Sequence, residues 1–227
     1  MKYLKSLKPV LIVYVLQYII LILLSSIYYL VSNKDLTSFI SNELSIILTI
    51  INLLIITYLI KKYNIKSKHI NLLSCYPLIL LGISLSTIFN TTLFIFSKPN
   101  KVTIPLYISI ISTGFIGPIL EEILFRYILF NNLNKFNSKF KSLIIATIIF
   151  AVIHLNLIKI IYAFILGIIL NIAYIKSNNI KVPILIHISA NIMSIFLKEF
   201  NIYILLLGLI SFLISITILK KGRLNYE

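Results

Sequence analysis

Residues 102–133 read VTIPLYISIISTGFIGPILEEILFRYILFNNL, an apolar run that carries two carboxylates and one guanidinium in its second half. Its first part, Val102–Leu120, contains no charged side chain. A membrane-crossing helix needs about 20 apolar residues. The run is apolar all round rather than alternating, so a strand of a closed barrel does not fit. The segment therefore predicts a transmembrane helix with charged groups at bilayer depth.

The rest of the chain has the same apolar character. Of its 227 residues, 59% are hydrophobic and 12% are charged, with a mean hydropathy of +1.04, whereas a soluble domain is about one quarter charged. Seven further apolar runs lie at Pro9–Val31, Leu44–Ile60, Ile70–Ser97, Ser142–Ile158, Ile160–Ile175, Val182–Leu197 and Phe200–Leu219. We expect an all-α, polytopic bundle of about eight transmembrane spans, forming a single membrane domain over residues 1–227.

The net charge of +15 is distributed over alternate connecting segments. The Lys-rich segments hold Lys2, Lys5, Lys8, Lys61, Lys62, Lys66, Lys68, Lys135, Lys139, Lys141, Lys176, Lys181, Lys220, Lys221 and Arg223. The other segments hold only Lys34, Lys98, Lys101, Lys159 and Lys198. The positive-inside rule then predicts that both termini lie in the cytoplasm, as an even number of spans also requires. The charges are spread over separate loops, which favours contact with the lipid bilayer and argues against nucleic acid as a partner.

Several polar residues fall inside the apolar runs. Glu121, Glu122, His154 and His187 all do so, although the chain has only six acidic residues and three histidines. A charged side chain at bilayer depth costs about 2.5–3.5 kcal/mol on insertion scales. Such residues are therefore candidates for function, and the structural alternative is an ion-pair network around Arg126 or interhelical hydrogen bonding.

Spacing predicts which of these side chains share a face. Glu122 and Arg126 are four residues apart and are expected to form an ion pair, as His187 and Asn191 are expected to share a helix face. A rise of about 1.5 Å per residue places Glu121 and His154 roughly 18 Å from the cytoplasmic edge, His187 roughly 8 Å and Asn191 roughly 14 Å. All four can then converge on one chamber.

Two kinds of chemistry fit this set. In the first, Glu121 and His154 deprotonate a water, while His187 and Asn191 stabilise the oxyanion of a tetrahedral intermediate. In the second, Glu121, His154 and His187 hold a divalent metal such as zinc. The chain lacks an HExxH signature, which removes the strongest argument for metal, but the residues alone do not choose between the two.

These residues stand in three motifs that resemble those of the CPBP family, the CAAX proteases and bacteriocin-processing enzymes also called Abi. Glu121-Glu122-Ile-Leu-Phe-Arg126 matches EExxxR, Phe150-Ala-Val-Ile-His154 matches FxxxH, and His187-Ile-Ser-Ala-Asn191 matches HxxxN. Each motif is weak alone, whereas all three in order, each in its own apolar run, are specific. The resemblance covers about residues 104–197, the expected catalytic core.

The resemblance implies an intramembrane endopeptidase, with a substrate of the CAAX type or related to bacteriocins. It implies Glu121 as base, His154 as its partner, and His187 with Asn191 as oxyanion donors, with Glu122, Arg126 and Phe150 in support. The family is labelled metalloprotease, although a metal-free glutamate mechanism has also been proposed for it. We expect a multi-pass protein of a bacterial cytoplasmic membrane. The competing interpretations are a non-enzymatic bacteriocin immunity or scaffold protein and a proton-coupled transporter.

Overall fold

The computed structural model describes residues 1–32, 43–70, 75–93, 104–197 and 199–221. Within these ranges the chain forms eight helices and no strand. They are α1 (Lys2–Ser32), α2 (Glu43–Tyr63), α3 (Tyr76–Leu93), α4 (Leu106–Asn134), α5 (Lys139–Val152), α6 (Leu157–Ser177), α7 (Lys181–Phe196) and α8 (Ile202–Lys221). The predicted all-α bundle of about eight helices is confirmed.

Six of these helices, all except α5 and α7, are long and apolar enough to cross a membrane. Large apolar side chains on α1, α2 and α8 are exposed on the outside of the bundle, as expected of surfaces that face lipid. The chain is a multi-pass membrane protein. The cytoplasmic location of its termini stays a prediction. Several residues used to derive it, Lys34, Lys98, Lys101, Lys198 and Arg223, lie outside the described ranges, as do residues 71–74, 94–97 and 102–103 of the predicted spans.

The fifth span ends earlier than the apolar run predicts. The run continues to Ile158, but α5 ends at Val152 and α6 begins at Leu157. Leu155 takes a positive φ of 54°, and the Asn156 side chain caps α6 by accepting a hydrogen bond from the Lys159 backbone N–H at 3.1 Å. The left-handed residue and the cap stop one helix and start the next, although the sequence remains apolar there.

Helix α7 packs closely against α3 and α4. Its approach to α3 is made at Gly82, where an added Cβ atom would lie 2.0 Å from Ser189 Oγ and 2.2 Å from the Ile186 carbonyl oxygen. Only glycine fits such a contact between two helices.

Helix α4 is irregular on both sides of its glutamates. Residues Ile110–Ile116 and Ile123–Phe130 are π-helical, and the short segment Gly117–Glu122 between them is α-helical. π-Helical turns are rare and occur frequently at functional sites. They change the angular position of the following residues, and here they set the directions in which Glu121 and Glu122 point.

Candidate active site

Glu121 and Glu122 are neighbours on α4, but their side chains have different surroundings. The Glu122 carboxylate is fully buried, and its Oε1 atom lies 2.9 Å from Nη1 of the equally buried Arg126. The Glu121 side chain is 25% exposed. Consecutive helical residues point about 100° apart, so one carboxylate faces the interior and the other faces a cavity. The ion pair predicted from the spacing of Glu122 and Arg126 is present.

His187 lies between the two carboxylates. Its Nδ1 atom is 2.7 Å from Glu122 Oε1, and its Nε2 atom is 3.7 Å from Glu121 Oε2. The Glu122 carboxylate, paired with Arg126, can only accept hydrogen bonds. Nδ1 of His187 therefore carries a proton and donates a hydrogen bond to Glu122, and Nε2 is an acceptor when the ring is neutral.

With the ring neutral, two hydrogen-bond acceptors, Glu121 Oε2 and His187 Nε2, face each other across a gap. Their separation of 3.7 Å exceeds the length of a direct hydrogen bond, and neither atom has a proton to donate. A water molecule suits this gap because its two O–H groups can donate to both atoms at once. The lone pairs of that water would remain available for attack on a carbonyl carbon.

Phe150 forms an apolar wall beside this polar group. Its ring is almost fully buried and meets the His187 ring edge-on, with 5.9 Å between the centroids. The guanidinium carbon of Arg126 lies 4.2 Å from the centroid of the same ring, which is the geometry of a cation–π contact. Phe150 therefore stabilises the Arg126 charge and limits the orientations of His187.

The contacts of His154 in the described residues are with Phe150 rather than with the glutamates. His154 lies in the turn after α5 rather than within a helix, because α5 ends at Val152. Its Nδ1 atom is 3.0 Å from the Phe150 carbonyl oxygen, an acceptor, so Nδ1 carries the proton and Nε2 of the neutral ring is an acceptor. Among the described contacts, His154 reaches the site through the Phe150 ring, 5.3 Å away between centroids, and not through a hydrogen bond to Glu121.

Asn191 connects α7 to the irregular part of α4. Its Nδ2 group donates a hydrogen bond to the Thr113 carbonyl oxygen at 2.9 Å. In a π-helix the donor for Thr113 would be residue 118, which is proline and has no N–H. The Gly117 N–H is already donated to Ser112. Asn191 therefore supplies the hydrogen bond that Pro118 cannot make.

The structure thus brings four motif residues into one group, Glu121, Glu122, Arg126 and His187. Phe150 packs against this group, and His154 and Asn191 lie at its edge. The convergence of the three motifs agrees with the sequence interpretation, but the histidine that faces Glu121 is His187 rather than His154.

A family model described as "Type II CAAX prenyl endopeptidase Rce1-like" matches residues 103–193, which contain every motif residue described above. This segment is therefore similar to the Rce1-like endopeptidases. The chain is also similar to the protein of Bacillus subtilis (strain 168) named "Putative membrane peptidase YdiL", with 34% identity over 82 residues, or 36% of this chain and 34% of that protein. The chain therefore spans about a third of the length of this curated relative. No solved structure matches the chain.

The glutamates and histidines of residues 103–193 are the candidate ligands for a metal ion. A catalytic zinc usually has three protein ligands. Within the described ranges, no group of three or more His, Cys, Asp or Glu side chains is arranged to hold a metal. Glu121 Oε2 and His187 Nε2 are two suitable metal-ligand atoms. His187 Nδ1 is hydrogen-bonded to Glu122, and the described hydrogen bond of His154 is with the Phe150 carbonyl oxygen rather than with Glu121. This arrangement does not fit a three-ligand metal site.

Two polar residues outside the matched segment share a cavity with Glu121. Gln17 on α1 and Asn52 on α2 line a cavity of about 360 Å³ together with Glu121. The motif spacing does not identify them, because the motifs begin at Glu121. The signal that could have found them is a single amide side chain within each of two otherwise apolar runs.

Proposed function

We propose that this protein is an intramembrane endopeptidase in which Glu121 and His187 hold and activate the attacking water. The observation that carries the proposal is the pair of acceptors, Glu121 Oε2 and His187 Nε2, that face each other at 3.7 Å. The similarity of residues 103–193 to Rce1-like endopeptidases supports the reaction class.

In the proposed reaction, the water oxygen attacks the carbonyl carbon of the scissile peptide bond, and the water proton moves to Glu121. A side chain that accepts this proton in the transition state typically accelerates a reaction by about 10²–10⁴-fold. The tetrahedral intermediate then collapses as the C–N bond breaks, and Glu121 returns the proton to the leaving nitrogen. The products are a new carboxylate and a new amine. The buried Glu122–Arg126 pair keeps Nδ1 of His187 protonated, so that Nε2 stays an acceptor for the water throughout.

The oxyanion requires hydrogen-bond donors. Asn191 has a second amide hydrogen in addition to the one donated to Thr113, and we assign it this role. His154 can donate from Nε2 only as an imidazolium, because its other nitrogen donates to the Phe150 carbonyl. His187, which was expected to be an oxyanion donor, is reassigned in this proposal to holding the water.

No step of the proposed reaction passes through a metal ion, because the described carboxylates and imidazoles do not form a three-ligand set. The substrate is expected to be a membrane-associated protein or peptide, since Glu121 lies within an apolar helix. We propose a CAAX-type or bacteriocin-related substrate, and the bacterial cytoplasmic membrane as the location. Both follow from the family resemblance.

The test compares membranes that contain the wild-type chain with membranes that contain Glu121→Gln, and it identifies new peptide termini by mass spectrometry. Glutamine keeps the size of the side chain but cannot take up the proton. We expect cleavage products that depend on the wild-type chain and are absent with Glu121→Gln, although both proteins accumulate to the same level. An identical set of termini in the two membranes would contradict the proposal. An immunity phenotype that survives in Glu121→Gln would show that proteolysis is not its cause.

A further inference from the structure

Helices α1 and α2 contribute a polar pair to the cavity that Glu121 lines. The cavity of about 360 Å³ lies between these two helices and α4, and Gly117 of α4 also borders it. Gln17 and Asn52 provide amide groups on its α1 and α2 sides. Neither residue belongs to the segment matched by the family model, so no catalytic motif explains their presence.

A single hydrogen bond joins the two amide side chains, with Gln17 as the donor. Nε2 of Gln17 donates a hydrogen bond to Oδ1 of Asn52 at 2.6 Å. This pairing leaves the Oε1 acceptor of Gln17 and the Nδ2 donors of Asn52 without another partner among the described residues. A peptide unit has the complementary pair, one N–H and one C=O. An amide pair with one free acceptor and free donors can therefore bind one peptide unit through two hydrogen bonds.

A substrate of an intramembrane peptidase needs such partners. The scissile segment must be unwound to be attacked, and each backbone group that loses its partner away from water costs several kcal/mol. The leucine side chains of the lining, Leu21, Leu48 and Leu120, cannot supply these hydrogen bonds. Tyr14 and Tyr18 each offer one hydroxyl group, whereas an amide pair offers an acceptor and a donor side by side. Gln17 and Asn52 can do so in the cavity that contains the proposed base.

We infer that Gln17 and Asn52 are substrate-positioning residues that hydrogen-bond one backbone amide of an extended peptide beside the scissile bond. The inference rests on the proposed function, because it assumes that a peptide enters the cavity next to Glu121. It assigns recognition of the peptide backbone to the two N-terminal helices. The alternative is that this amide pair only joins α1 to α2, as polar residues often do between membrane helices.

The experiment uses the full chain in proteoliposomes and a farnesylated, internally quenched peptide that ends in a CAAX sequence. A second set of probes replaces one backbone N–H at a time near the scissile bond with an ester oxygen. The test variant is Gln17→Met, which removes the amide but keeps the length of the side chain. The control is Leu23→Met, an exposed position on the same helix that does not line this cavity.

We expect Gln17→Met to raise KM about five- to tenfold, the effect of one lost hydrogen bond, and to change kcat less than twofold. Leu23→Met should change neither. One ester probe should bind the wild type more weakly by a similar factor and should show no further loss with Gln17→Met, since both changes remove the same hydrogen bond. A merely structural amide pair would not produce this dependence on one backbone position. Equal KM values, or losses that add for every ester position, would overturn the inference.

Binding of the same probes to Glu121→Gln separates this inference from the proposed function. If the wild type cleaves nothing but probe binding still depends on Gln17, the proposed function is contradicted and the inference stands. If cleavage depends on Glu121 but not on Gln17, the inference fails and the proposed function stands. The absence of any probe binding would overturn the inference.

Discussion

Nδ1 of His187 lies 2.7 Å from Oε1 of Glu122, and the same carboxylate oxygen lies 2.9 Å from Nη1 of Arg126. This short contact determines which ring nitrogen carries the proton. The catalytic roles proposed for Glu121 and His187 both follow from it, because a water can donate a hydrogen bond to Nε2 only if that nitrogen is unprotonated.

The first prediction concerns the tautomer of His187. In protein labelled with ¹⁵N-histidine, we expect the His187 ring to be neutral and protonated at Nδ1, because Glu122 accepts from that atom. Glu122→Gln should remove this preference. His69, which is exposed, provides the reference signal of a histidine outside the site. A His187 ring protonated at Nε2 at neutral pH would contradict the arrangement of the water site.

The second prediction concerns the buried ion pair. Arg126→Met leaves the fully buried Glu122 carboxylate without the guanidinium that balances its charge, and such a loss typically costs about 3–5 kcal/mol. Thermal unfolding in detergent should show a large loss of stability for Arg126→Met. The double variant Glu122→Gln with Arg126→Met should be less destabilised than the sum of its single changes. The control Lys139→Met, at an exposed position, should change stability by less than about 0.5 kcal/mol. Additive effects of the two single changes would show that the pair is not coupled.

Much of the fold and part of the site follow from the sequence. The apolar runs predict the helices because lipid requires each span to satisfy its own backbone. The spacing of Glu122 and Arg126 predicts their ion pair because residues four apart share a helix face. Both predictions depend on chemistry within a single helix, where periodicity is informative.

The contacts between helices could not be predicted in the same way. Facing residues on α4 and α7 depend on the rotation of each helix about its axis, and the π-helical segments of α4 change that rotation. His187 therefore replaces His154 as the partner of Glu121. The end of α5 could not be predicted from the apolar pattern either, since Leu155 and Asn156 interrupt the helix inside an apolar run.

The third prediction concerns Asn191 and Pro118. Asn191→Leu removes the donor to the Thr113 carbonyl, at a cost of about 1 kcal/mol. Pro118→Ala restores a backbone N–H that can replace that donor. The loss of stability caused by Asn191→Leu should therefore be smaller in the Pro118→Ala background.

A matched control for this cycle is Asn90→Leu. The Nδ2 group of Asn90 donates a hydrogen bond to the Ser86 carbonyl within its own helix. The loss of stability caused by Asn90→Leu should therefore be the same with proline or alanine at position 118. If Asn191→Leu costs the same amount of stability with and without proline at position 118, the proposed link between the two residues is wrong.

The fourth prediction concerns metal removal. Because the described donors do not form a three-ligand site, we expect dialysis against a strong chelator to leave the cleavage rate unchanged within about twofold. A catalytic zinc would instead supply several kcal/mol of transition-state stabilisation, and its removal would abolish turnover. Loss of cleavage with chelator that is restored by one divalent metal would contradict the metal-free reaction.

The most direct test of the account is the turnover number of Glu121→Gln in proteoliposomes, measured beside the wild type. We predict a loss of at least about 10²-fold in kcat, because glutamine cannot accept the water proton, together with an unchanged unfolding temperature, since Glu121 is partly exposed and lies outside the Glu122–Arg126 pair. A variant that turns over within about threefold of the wild-type rate would contradict the assignment of Glu121 as the base.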